Sequence, residues 1–215
     1  MALNGCDTKP GRNRREDSLA RVLLTTAIVA ALYIPLPHLA SAEQTATEAV
    51  RGTVREVLYV LCELRDASRT AQRQWEVEQI VRRSFNYEAM AQRSLGEAWE
   101  GLSAPQRRQY VRLFVQLLRD DVTDRLRDYS ADRVAYLSEG EGDAVREVTT
   151  APAGVEVDTR IEFQVVWRSG SWLMDDMVVD GASLVGRYQA QFSRILRDGS
   201  FAELMERMQQ RDLVA

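Results

Sequence analysis

Residues Trp172 to Phe192 (WLMDDMVVDGASLVGRYQAQF) constrain the fold more tightly than any other stretch, because their apolar spacing changes partway along. Up to Val179 the spacing is about two, which is a strand. From Leu184 it lies between three and four, which is a helix. The strand ends at Asp180-Gly181, and the helix takes its cap from Ser183 or Gly181. A chain with this junction must place a helix directly against the end of a sheet.

The first 42 residues read as a leader rather than as part of that fold. Arg12, Arg14, Arg15 and Arg21 form a positive segment, Val22 to Leu36 is apolar but short for a bilayer span, and Ala40-Ser41-Ala42 fits a small-x-small cleavage site. Pro35 and Pro37 break a helix where a membrane anchor needs continuity. The expectation is an exported, periplasmic protein, cleaved after Ala42, with residues 43–215 as a single domain.

Removing the leader makes an acidic chain more acidic than its overall net charge of −4. Such a field is a poor match for nucleic acid or an anionic membrane surface. The only histidine, His38, goes with the leader, which takes away the imidazole that most triads, zinc sites and neutral-pH proton relays use. Of two cysteines, Cys6 is also lost. Cys62 sits among Val57, Leu58, Leu61 and Leu64 and is expected to be buried and inert.

The first half of the domain is helical. Val50, Val54, Val57, Leu58, Leu61 and Leu64 make a stripe from Thr45 to Arg65. Two shorter helices follow, Trp75 to Val81 and Tyr87 to Leu95, joined by a turn at Ser84 to Asn86. Ser103-Ala-Pro-Gln106 is a capping-box pattern with Pro105 near the first helical position, which predicts a long helix to about Tyr129. Tyr110, Leu113, Phe114, Leu117, Leu118, Val122, Leu126 and Tyr129 share its apolar face. Arg108, Arg112, Arg119, Asp120 and Arg127 mark a solvated face.

After Ser130 the pattern becomes alternation broken by turns. Arg133 to Ser138, Ala144 to Thr150, Val155 to Trp167 and Ser171 to Val179 are predicted strands, and the short turns between them favour an antiparallel meander. The third has an apolar face containing Ile161, Phe163, Val165 and Trp167. That face needs cover, so the predicted class is α+β, with helices packed on one face of a curved four-stranded antiparallel sheet and a cavity possible between them. Gly199 separates the helix from Ala182 to Arg197 from a last one containing Phe201, Leu204, Met205 and Met208. The acidic run Glu139, Glu141, Asp143 lacks calcium-loop spacing and reads as a solvated turn. No metal site and no cofactor are expected.

Two stretches resemble the MlaC-type periplasmic phospholipid-binding proteins, the toluene-tolerance family of ABC transporter auxiliary components. One is Phe85-Asn-Tyr-Glu-Ala-Met-Ala-Gln-Arg-Ser-Leu-Gly96 with Trp99, Leu102-Ser103 and the helix from Gln106 to Leu118. The other is Trp172 with Asp176, Gly181, Ser183-Leu184, Tyr188, Gln191-Phe192, Ile195-Leu196 and Gly199. Met174 and Asp175 depart from the pattern, where relatives carry an aliphatic and an aromatic residue. The resemblance implies a monomeric shuttle that holds acyl chains between helices and a cone-like sheet. It would move phospholipid, or a hopanoid-type lipid, between an outer-membrane lipoprotein complex and an inner-membrane ABC transporter complex, and so serve outer-membrane lipid asymmetry.

A carrier needs apolar side chains and no catalytic group. The candidates are Tyr110, Phe114, Leu117, Leu118, Val122 and Leu126 from the long helix, and Ile161, Phe163 and Val165 from the third strand. Met177 and Val179 from the fourth strand and Leu184 and Tyr188 from the next helix complete the set. Two rivals stand beside the carrier. In one, a cavity enzyme uses Asp176 as a base, against which Asp176 reads more simply as a helix cap or an arginine partner. In the other, the protein is a docking module whose apolar faces are only core.

Overall fold

The computed structural model describes residues 45–127, 129, 134–140, 145–152 and 160–212; the expected leader and its cleavage site lie outside them. Helix α1 (Ala46–Glu63) begins at a capping box: Thr45 Oγ1 accepts the Glu48 N–H at 3.1 Å, and the Glu48 carboxylate accepts the Thr45 N–H at 3.0 Å. It buries Ala46, Val50, Val54, Val57 and Leu58. Further along, Leu61 is partly buried against the core and Leu64, just past the helix end, is buried, while Cys62 between them is exposed, which corrects the expectation of a buried thiol.

Helix α2 (Thr70–Ser84) starts five residues before the predicted Trp75, and Trp75 itself is 59% exposed. After it comes α3 (Tyr87–Leu95), then α4 (Ala104–Leu126), where the predicted Ser103/Gln106 capping box is present. The predicted end at Tyr129 is three residues too far. Arg119, assigned from sequence to the solvated face, is 6% exposed. Its guanidinium lies 3.3 Å from Glu78 of α2 and 2.8 Å from Asp120, so the charge is buried with two acids beside it.

The sheet is an antiparallel meander in the order β1 (Val134–Glu139), β2 (Val145–Pro152), β3 (Ile161–Arg168), β4 (Ser171–Val179), β5 (Ala182–Ser183). Among the described residues there are five strands rather than four, and the sheet is open and uncurled rather than curved. The missed strand, β5, is two residues long, too short to alternate. Asp180 (φ 52°) and Gly181 (φ 78°) make the tight hairpin turn that joins it to β4, so the strand ends at the Asp-Gly pair as expected but the chain turns back into a further strand before the helix. The predicted start of the third strand at Val155 lies outside the described residues.

β4 carries a bulge. Gln164 of β3 pairs with Asp176 and Val165 pairs with Met174, which leaves Asp175 as the extra residue. The core-facing phase therefore shifts along β4, from Trp172 and Met174 on one side to Met177 and Val179 on the other. One contiguous core joins the helices to this sheet face. Helix α5 (Leu184–Asp198) and helix α6 (Phe201–Gln210) close it, burying Tyr188, Phe192, Leu204 and Met205. No described helix is long and apolar enough to cross a membrane.

Candidate functional site

All the candidate apolar residues are buried, and all belong to the one core. On the sheet, register brings the candidates together: Ile161 is opposite Val179 and Phe163 opposite Met177. On the helices, an aromatic cluster joins α4 to α5. The Phe114 and Tyr188 rings meet edge to face at 5.5 Å, Tyr188 stacks on Phe192 at 5.4 Å, and Tyr110 meets Phe192 at 6.2 Å. Phe192 and Phe201, which also reaches Tyr110, were not among the sequence candidates, although both lie on the apolar stripes of their helices. In this state the candidate wall is closed packing.

Two buried phenols have polar partners. Tyr110 and Ser94 share a hydrogen bond of 2.6 Å, and burial pushes the Tyr110 phenol far above its ordinary range. The Tyr188 hydroxyl donates to the Asp121 carboxylate, linking α5 to α4. Burial raises both groups, and Arg187, 3.9 Å from Asp121, partly offsets the effect on the acid. They sit at the base of a cleft of about 700 Å³ with Leu117 and Leu184, beneath a rim of charged side chains.

Asp176 is 7% exposed and its oxygens are occupied. Oδ1 accepts the N–H groups of Met177 (2.8 Å) and Val185 (3.1 Å), and Oδ2 accepts the Ser183 hydroxyl at 2.5 Å. Ser183 Oγ in turn accepts the Gly186 N–H at 2.9 Å. Asp176 is thus a helix cap, as the simpler reading of the sequence held.

A second, smaller cleft of about 290 Å³ lies between α1 and the β1 edge of the sheet. Val54 and Leu58 form its floor, Val134 and Tyr136 its far wall, and Arg51 and Arg55 its near rim. The Arg51 guanidinium rests 4.7 Å from the centre of the Tyr136 ring. Sequence reasoning passed over this pair, since an arginine on a helix exterior carries no signal by itself. Among the described residues no group of three or more acids, cysteines or histidines is placed to hold a metal.

Comparison with known proteins adds three findings. A model of the MlaC protein family matches residues 51–210. No curated protein matches the chain. Among solved structures, the phospholipid-binding protein from Ralstonia solanacearum, determined in complex with a phospholipid, is similar with a TM-score of 0.63 and 20% identity. The match covers 77% of this chain and 96% of that one. At that identity the likeness is one of fold.

Proposed function

The chain belongs to the MlaC protein family, and from that premise we propose that it is a periplasmic lipid carrier. Lipid binding is supported by the family and by the fold shared with a protein solved around a phospholipid. The rest is our reading. The leader is cleaved after Ala42, the mature domain holds acyl chains between its helices and sheet, and it shuttles phospholipid between an outer-membrane lipoprotein complex and an inner-membrane ABC transporter complex.

The observation that carries this reading is the family match over a domain whose helices and sheet share one continuous apolar core. A diacyl lipid has on the order of 30 methylenes, and at ~0.8 kcal/mol each their exposure to water costs roughly 20 kcal/mol or more. That is comparable to the cost of parting a closed core and replacing side-chain packing by packing against lipid. Binding then means separation of helices from sheet, with the acyl chains filling the space that opens between them. No catalytic group is required, and Asp176, the base of the cavity-enzyme alternative, is engaged in three hydrogen bonds at the start of α5 instead.

The test is direct. The protein is purified without detergent, denatured, and its extract examined by mass spectrometry. Near-stoichiometric phospholipid is the expected result, and a hopanoid in its place would keep the carrier and change its cargo. An extract with neither overturns the reading.

A further inference from the structure

Helix α1 presents two kinds of residue to the β1 edge. Arg51 and Arg55 are four apart and so neighbours on one face, and Val54 and Leu58, also four apart, form the adjoining stripe that enters the core. The arginines thus border an apolar floor. Like charges at this spacing destabilise a helix unless an anion lies between them.

The acids of α1 do not supply that anion. Glu48 is held in the capping box at Thr45, and Glu56 pairs with Arg83 of α2 at 2.5 Å. Among the described residues neither Arg51 nor Arg55 has a carboxylate partner, and Arg51 lies over the Tyr136 ring instead. Both remain exposed, at the rim of a cleft whose floor, Val54 and Leu58, is buried. Two such guanidinium groups on a protein of net negative charge, beside a small cleft that Val54 and Leu58 of the core also line, make a local positive rim suited to an anion.

We propose that Arg51 and Arg55 bind the phosphate of a phospholipid headgroup at the α1–β1 seam, with Tyr136 as the movable side of the entrance. The assignment rests on the carrier reading and adds to it where the lipid enters and what is recognised. Arginine suits the role because its planar fork meets two phosphate oxygens at once. Arg51 leaves the Tyr136 ring to do so, and the ring, half-buried over Val54, swings from the path of the chains. The acyl chains pass over Val54 and Leu58 into the core.

The experiment loads the protein from vesicles holding equal amounts of phosphatidylglycerol and of diacylglycerol with the same acyl chains, and reads the bound lipids by mass spectrometry. The wild type is expected to take phosphatidylglycerol in preference by about tenfold. The R51Q/R55Q double variant should fall to near the vesicle ratio, and R51K/R55K should recover part of the preference, since the charge returns without the fork. Thermal unfolding shows whether the variants fold; their exposed positions leave the core intact.

A wild type without preference, or a double variant that keeps it, overturns the assignment while the carrier reading stands. A lipid-insensitive stabilisation by millimolar inorganic phosphate, lost in R51Q/R55Q, makes the cleft a free-phosphate site and also overturns it. A protein that loads neither lipid removes the carrier reading and this inference together.

Discussion

The Ser183 hydroxyl donates a 2.5 Å hydrogen bond to Asp176 while the same oxygen accepts the Gly186 N–H, so the strand residue and the cap residue act as one unit. Asp176 adds the Val185 N–H to that unit. Two of the free donors at the start of α5 are satisfied, and a negative charge faces the positive end of the helix. This fixes the direction in which α5 leaves the sheet, and with it the position of Tyr188 and Phe192 against α4.

Asp176→Ala is expected to lower stability by about 1–3 kcal/mol, since it strips a carboxylate from buried donors. Ser183→Ala should cost about 1 kcal/mol, and Asp176→Asn less than Asp176→Ala because the amide oxygen still accepts. Urea unfolding measures all three. Lipid recovered in the extract of Asp176→Asn should match the wild type; loss of bound lipid in a variant that stays folded would reopen a direct role for the acid.

The parts of this fold that were legible in the sequence are those governed by local rules. Ser103 with Gln106 and the Ser183 cap follow from short-range chemistry, and the α4 stripe from a regular period. What was missed depends on partners distant in sequence. Arg119 looks solvated until Glu78 arrives from α2, and Cys62 looks buried among apolar neighbours although it lies off the face that α1 turns to the core. The bulge at Asp175 leaves no mark on hydrophobicity, yet it resets the phase of β4. For the site, burial of the candidates was legible, but the arginine pair at the α1–β1 cleft was not, since β1 must be folded beside it to give it a meaning.

The burial of Asp121, which outweighs the opposing effect of its hydrogen bond from Tyr188, predicts a pH dependence. Burial raises the Asp121 carboxyl above the ordinary aspartate value of 3.8, so the folded state holds its proton more tightly than the unfolded chain does. The favourable contribution is complete below 3.8 and is lost as pH rises through the elevated folded value. Asp121→Asn should therefore show a smaller loss of stability over that window than the wild type. Equal slopes in urea titrations across the acidic range would contradict this account of Asp121.

Cys62 is exposed, so a maleimide should label the folded protein at a rate close to that of the unfolded chain. Cys62→Ser should change stability by no more than about 0.5 kcal/mol. Labelling that waits for denaturant would restore the buried thiol expected from sequence.

If the acyl chains take up space between helices and sheet as proposed, a phospholipid with a photoactivatable group midway along one chain should label two tryptic peptides. These are Leu113–Arg119 of α4 and Ile161–Arg168 of β3, which carry Phe114, Leu117, Phe163 and Val165. Labelling confined to the exposed Trp75 side chain, and absent from buried Val77, Ile80 and Val81 of the same helix, would place the chains outside the domain.

The two stretches that carry the family resemblance meet in space at a polar cluster as well as through their aromatic rings. Asn86 Nδ2 donates to Asp175 Oδ1 at 2.6 Å, the Asn86 N–H donates to the Met174 carbonyl at 2.8 Å, and Arg93 pairs with the Asp175 carboxylate at 2.8 Å. The bulge turns Asp175 toward α3 and its neighbour Asp176 toward α5, so one irregularity in β4 ties down both helices. Asp175→Ala should therefore cost about 1–2 kcal/mol, and a double-mutant cycle with Asn86→Ala should return a coupling of at least about 0.5 kcal/mol. Additive losses in that cycle would mean that the backbone bridge at Met174 holds α3 without help from the side chains.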